Sequence, residues 1–130
     1  MMAKLERSPQ PARMEAVSRD ALVQAALQEI NQNYREASLS NVARAYGVSL
    51  AYVSECVRAQ TGRTYKELLQ KHRMETAARL LRRSDLNIQQ IIAQVGYENT
   101  SYFYRLFHER YGQSPREYRQ SRAVRTRTPA

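Results

Sequence analysis

The chain has 130 residues with 21 lysines and arginines against 12 acids, a charge of +9. That is one domain's worth of protein with an anionic partner, nucleic acid before a membrane surface. The single cysteine, Cys56, excludes an internal disulfide framework and fits a reducing cytosol. No apolar run approaches the roughly 18 residues a membrane span needs, and no charged-then-apolar leader is present, so a soluble cytoplasmic protein with no membrane partner is expected.

Residues 1–17, with Pro9 and Pro11, read as a flexible lead-in. No stretch alternates apolar and polar residues, whereas several carry the three-and-four spacing of amphipathic helices, so the fold is predicted to be all-α, with about seven helices. The first runs from about Asp20 to Tyr34 on Val23, Leu27, Ile30 and Tyr34. Ser38 is expected to cap a short helix carrying Leu39, Val42, Ala43 and Tyr46, ended by a left-handed Gly47. Ser49 caps the next, Leu50 to Gln60, which Gly62 stops. Short helix, glycine turn and second helix make a helix-turn-helix within residues 18–63.

Thr64 and Glu67 form a capping box for a longer helix to about Leu81, whose apolar face is Tyr65, Leu68, Leu69, Ala77, Leu80 and Leu81. Residues 64–83 thus form a linker. At ~1.5 Å per residue the 18 residues from Thr64 to Leu81 span roughly 27 Å, less than the ~34 Å between successive major-groove faces, so both units are expected to engage only a duplex bent toward the protein. A second helix-turn-helix occupies residues 84–120. Asn87 and Gln90 form another capping box, Ile88, Ile91 and Val95 lead to Gly96, and Asn99 caps a helix from Thr100 to Arg110 with Tyr102, Phe103, Leu106 and Phe107 available to the core. Ser114 and Pro115 start a last helix, with Glu117 completing its capping box. Residues 121–130 read as a basic disordered tail, its Arg122, Arg125 and Arg127 adding non-specific affinity.

The two halves are copies. Gly47 and Gly62 recur as Gly96 and Gly112, and Leu39, Val42, Val48, Tyr52, Val53 and Val57 align with Ile88, Ile91, Tyr97, Tyr102, Phe103 and Phe107.

The stretch from Ile91 to Arg119 contains Val95-Gly96-Tyr97, then Ser101-Tyr102-Phe103-x-Arg105-x-Phe107, then Gly112-x-Ser114-Pro115 and finally Tyr118-Arg119. These motifs in this order closely resemble the C-terminal signature of AraC/XylS-type bacterial transcription regulators, and LSNVARAYGVSLAYVS resembles the family's other half. The resemblance runs from about Val23 to Arg119. It implies two helix-turn-helix units binding adjacent major-groove segments of double-stranded DNA to regulate transcription, as an activator, with RNA polymerase a second candidate partner. Three positions depart from the pattern: Ile92 stands where a small residue is usual, Glu55 where arginine is frequent and Val57 where phenylalanine is frequent.

Helix phase gives the reading candidates. With Val53, Cys56 and Val57 inward, Leu50, Ala51, Ser54, Glu55 and Arg58 face outward; with Phe103, Leu106 and Phe107 inward, Thr100, Ser101, Tyr104, Arg105 and His108 do. No aligned pair is identical, so a monomer should read an asymmetric site. Arg105 can bond guanine O6 and N7 together, or else touch phosphate or Glu109. Glu55 can accept from cytosine N4 or pair with Arg58; Leu50 and Ala51 can meet thymine methyls or pack at the helix start. Phosphate candidates are Arg58 and His108, the helix starts at Thr64 (with Arg63 and Lys66) and at Ser114 (with Arg116), whose hydroxyls also serve as caps.

His72 and His108 lie in separate helices, and no Cys/His cluster or phosphate-cradling glycine loop exists, so no enzyme, metal or cofactor is expected. Two alternatives stand beside the regulator reading: the DNA-binding output fragment of a longer effector-responsive regulator, and a non-specific nucleic-acid-binding protein.

Overall fold

The computed structural model describes residues 17–127, with side chains from 17 to 121. These residues form seven α-helices: α1 (Arg19–Asn33), α2 (Leu39–Tyr46), α3 (Leu50–Thr61), α4 (Tyr65–Arg83), α5 (Ile88–Val95), α6 (Thr100–Tyr111) and α7 (Pro115–Arg127). No strand occurs among the described residues, as the helical periodicity predicts. The chain divides into two compact units between Leu69 and Gln70, inside α4.

In the first unit α1, α2 and α3 pack on one another around Leu22, Val23, Ala26, Ile30, Leu39, Val42, Ala43, Val53, Cys56, Val57 and Tyr65. The α1 stripe is rotated from the predicted one: Leu22 and Ala26 are buried, while Leu27 and Tyr34 are half-buried. Ser18 supplies the α1 cap, its Oγ accepting from the Ala21 N–H at 2.9 Å.

Ser38 does not cap α2 through its side chain. Instead its own N–H donates to Glu29 Oε2 at 3.2 Å, and Asn41 Nδ2 donates to the same oxygen at 3.2 Å. A carboxylate reaching across from α1 therefore stands at the positive end of α2, where an anion is favoured.

In the second unit the buried residues include Met74, Ala77, Ala78 and Leu81 of α4, Ile91, Ile92 and Val95 of α5, and Phe103, Leu106 and Phe107 of α6. Ile92, 2% exposed, is taken fully into this core. Of the α4 face read from sequence, Ala77 and Leu81 are buried but Leu68, Leu69 and Leu80 only partly so, while Met74 and Thr76 are buried instead.

Aromatic rings tie α6 to α7: Phe107 lies 4.6 Å from Tyr111 and 5.4 Å from Tyr118, and Tyr111 lies 5.3 Å from Tyr118, centroid to centroid. The α7 backbone stays helical through Arg127, past the Ser121 boundary predicted for a disordered tail. SRAVRTR holds no helix breaker, and the first proline after it, Pro129, lies beyond the helix end. Residues 1–16 of the predicted 1–17 lead-in and residues 128–130 lie outside the described residues, as do the side chains of Arg122, Arg125 and Arg127.

Candidate nucleic-acid interface

Each unit builds its turn the same way. Gly47 adopts φ 67° at the end of α2, and the next N–H, of Val48, donates to the Ala43 carbonyl at 3.0 Å. Gly96 adopts φ 106° at the end of α5, and the Tyr97 N–H donates to the Ile92 carbonyl at 3.1 Å. Both conformations are left-handed, which a β-carbon disfavours.

The second helices of the two units, α3 and α6, start on predicted caps. Ser49 Oγ accepts from the Tyr52 N–H at 3.0 Å to open α3, and Asn99 Oδ1 accepts from the Tyr102 N–H at 2.9 Å to open α6. Burial of Val53, Cys56 and Val57 in one, and of Phe103, Leu106 and Phe107 in the other, fixes which residues turn outward.

In α3 the outward set is as expected: Leu50 (48% exposed), Ala51, Ser54, Glu55 and Arg58 are all exposed. No ion pair joins Glu55 to Arg58 among the described residues. In α6, Ser101, Arg105 and His108 are exposed, whereas Thr100 and Tyr104 are half-buried. Thr100 Oγ1 donates to Gln89 Oε1 at 3.4 Å, and the Tyr104 ring meets Phe103 edge-on at 6.3 Å. Tyr102 is half-buried rather than a core residue.

Arg105 has both of its neighbours one turn away. Its Nη1 lies 3.6 Å from Glu109 Oε2, and its guanidinium carbon lies 5.1 Å over the Tyr102 ring.

At the helix starts the capping boxes are complete. Thr64 Oγ1 accepts from the Glu67 N–H at 3.1 Å while Glu67 Oε1 accepts from the Thr64 N–H at 3.0 Å, and Ser114 and Glu117 repeat this at 3.1 and 2.9 Å. The hydroxyls are thus used as caps, and what remains for an anion is the helix dipole with its exposed cations: Arg63 and Lys66 at one start, Arg116 at the other. Arg116 and Tyr104, two candidates from different helices, line one shallow groove with Asn87, Gln89 and Arg119.

Three features were missed from sequence. Arg119 donates through Nε to the Leu81 carbonyl at 3.1 Å and through Nη2 to the Ser84 carbonyl at 3.1 Å, so the last helix is bonded to carbonyls at and just past the end of α4. Arg82 Nη1 donates to the Tyr118 hydroxyl. Arg19 of α1 lies 5.9 Å over the Tyr52 ring of α3. The Tyr118-Arg119 motif was the available signal for the first two, without the partner; nothing local announced the third.

Burial pushes the Tyr97 phenol up, against the nearby Arg73 charge, and burial pushes Tyr111 up as well. Burial lowers His72, helped by the Arg79 charge and opposed by Glu75. Among the described residues no three His, Cys, Asp or Glu side chains gather as a metal site would require, and no helix is long and apolar enough to cross a membrane.

A family model described as a helix-turn-helix domain matches residues 42–121. The transcriptional activator NphR of a Rhodococcus species is 36% identical over 96 residues, 72% of this chain and 28% of that protein. The transcriptional activator RhaS of Shigella boydii is 32% identical over 87 residues, 67% of this chain and 31% of its own length. The chain therefore spans about a third or less of these two relatives. Among solved structures, the C-terminal domain of the response regulator AraT from Geobacillus stearothermophilus superposes with a TM-score of 0.70 at 35% identity, covering 84% of this chain and 88% of that one. The DNA-binding domain of AdpA, solved in complex with a target DNA, shares the fold with a TM-score of 0.69 at 22% identity, over 85% of this chain and 97% of its own.

Proposed function

Because the chain belongs to the AraC/XylS-type helix-turn-helix family of DNA-binding regulators, we propose that it is a sequence-specific regulator of transcription that reads two adjacent, unlike major-groove segments of double-stranded DNA. One observation carries the reading. Each unit pins a helix by three buried side chains, and the outward residues differ at every aligned position: Leu50/Thr100, Ala51/Ser101, Ser54/Tyr104, Glu55/Arg105 and Arg58/His108.

In this reading Arg105 takes guanine O6 and N7, Glu55 accepts from cytosine N4, and Leu50 and Ala51 meet thymine methyls. Ser54, Thr100, Ser101 and Tyr104 complete the base-facing sets. Arg58, Arg63, Lys66, His108 and Arg116, with the helix starts at Thr64 and Ser114, hold phosphates. On this reading the chain acts as a monomer in the cytoplasm and, by analogy with the named activity of NphR and RhaS, as an activator, with RNA polymerase a candidate partner.

A second reading, the DNA-binding output of a longer effector-responsive regulator, is favoured by the 28% and 31% of their length that NphR and RhaS share with this chain. Both readings make the same DNA prediction. Selection of bound duplexes from a random library at ~150 mM salt, which suppresses purely electrostatic binding, should enrich two unlike elements roughly ten base pairs apart. Binding without enrichment would instead indicate a non-specific nucleic-acid-binding protein.

A further inference from the structure

An arginine that reads a base must freeze a long side chain and loses rotamer freedom if the residue is free beforehand. Arg105 is 61% exposed, yet its guanidinium is already laid over the Tyr102 ring at 5.1 Å. The guanidinium donors point outward in its plane, so covering one face with a ring leaves the edge that would meet guanine open.

The ring itself is held. Gln70 Nε2 of α4 donates to the Tyr102 hydroxyl at 3.4 Å, and the Tyr97 ring meets Tyr102 at 5.9 Å with an interplanar angle of 65°. Tyr97 in turn lies under Arg73 at 5.2 Å. Tyr102 is therefore fixed from α4 and from the turn after α5, not only by its own helix.

The first unit supplies an independent comparison. Tyr52 aligns with Tyr102, but Glu55 stands where Arg105 does, so that helix has no arginine to place on its ring. A cation stacks there regardless, Arg19 from α1 at 5.9 Å. The repeat keeps the tyrosine with a guanidinium over it although the arginine comes from a different helix.

We propose that Tyr102 is a positioning residue for base recognition, a platform that pre-sets the Arg105 guanidinium for bidentate contact with a base. This rests on the DNA-reading function above. The test is the affinity of the full chain for its selected duplex and for every single base-pair variant of it, in wild type, Arg105→Ala, Tyr102→Leu, Tyr102→Phe and Gln70→Leu.

Arg105→Ala should abolish the preference at one base pair. Tyr102→Leu should weaken the preference at that same base pair about 2- to 5-fold, the worth of an exposed cation–π contact, and leave preferences in the α3 element unchanged. Tyr102→Phe, which keeps the ring but loses the Gln70 hydrogen bond, and Gln70→Leu, which removes the same bond from the other side, should behave alike, each losing less preference at that base pair than Tyr102→Leu. An unchanged preference in Tyr102→Leu, a loss in Tyr102→Phe as large as in Tyr102→Leu, or an equal loss in both elements overturns the platform while leaving the regulator reading standing. Absence of any base preference in the wild type overturns both.

Discussion

Arg105 and Glu109 form an exposed ion pair at 3.6 Å on one face of α6, both side chains about 60% in solvent. Such a pair contributes little to stability, roughly 0–1 kcal/mol, and a separation beyond hydrogen-bond length leaves the arginine donors available. If Arg105 reads a base as proposed, the pair bears on binding instead, since Glu109 would share its partner with the base and carry a negative charge beside phosphates.

Glu109→Gln is therefore expected to tighten binding to the selected duplex by a few-fold at low salt, with the gain shrinking as salt rises. Arg105→Lys should keep a positive charge but lose the bidentate fork, costing about 1–3 kcal/mol of discrimination at one base pair. Titration of both variants across ~50–200 mM salt checks the pair together.

Glu29 serves as the missing cap of α2, accepting from the Ser38 N–H and from Asn41. Glu29→Ala should lower stability by about 1–2 kcal/mol, with Ser38→Ala nearly silent because its hydroxyl makes no cap bond. Denaturant midpoints of the two variants decide it; the reverse order would contradict the assignment.

Arg119 satisfies carbonyls at Leu81 and Ser84 from the last helix. Arg119→Ala should destabilise the second unit by about 1–3 kcal/mol, and Arg119→Lys should not restore it, since a lysine offers no rigid fork to reach both carbonyls. Hydrogen exchange should show the loss at the end of α4 and in α7.

Thr76 is 2% exposed, and its hydroxyl has no hydrogen-bond partner among the described residues. Thr76→Val keeps the shape and removes an unsatisfied donor, so it is expected to stabilise by about 1 kcal/mol in thermal unfolding.

His72 is lowered from 6.5 by burial first and by the Arg79 charge second. In the folded state it binds a proton less readily than in the unfolded chain, so stability rises with pH across this window. Its contribution should be complete above 6.5 and be lost as pH falls below 6.5, levelling off once the folded form is also protonated. His72→Gln should flatten that part of the stability profile.

The signals that were legible from sequence are those whose partners lie within one helical turn. The boxes Thr64/Glu67, Asn87/Gln90 and Ser114/Glu117 and the caps Ser49 and Asn99 pair residues three apart, and the left-handed glycines mark their own positions. From these and the apolar phase the reading helices followed, and with them the exposed set in α3. Glu29 with Ser38, Arg119 with Leu81 and Arg19 with Tyr52 were not legible, because their sequence separations carry no local pattern and only tertiary packing brings them together. Ser38 shows the cost of that limit: a residue type suited to capping sits at the right place, and a carboxylate from α1 takes the role.

If α3 and α6 each read their own element, exchanging their outward residues exchanges the elements they select. Giving α3 the α6 set, through Leu50→Thr, Ala51→Ser, Ser54→Tyr, Glu55→Arg and Arg58→His, changes only exposed positions and leaves the Val53, Cys56 and Val57 face intact. Selection from a random duplex library should then convert a site of two unlike elements into a direct repeat of the α6 element. A selected site unchanged from that of the wild type would mean that these residues of α3 do not read the DNA.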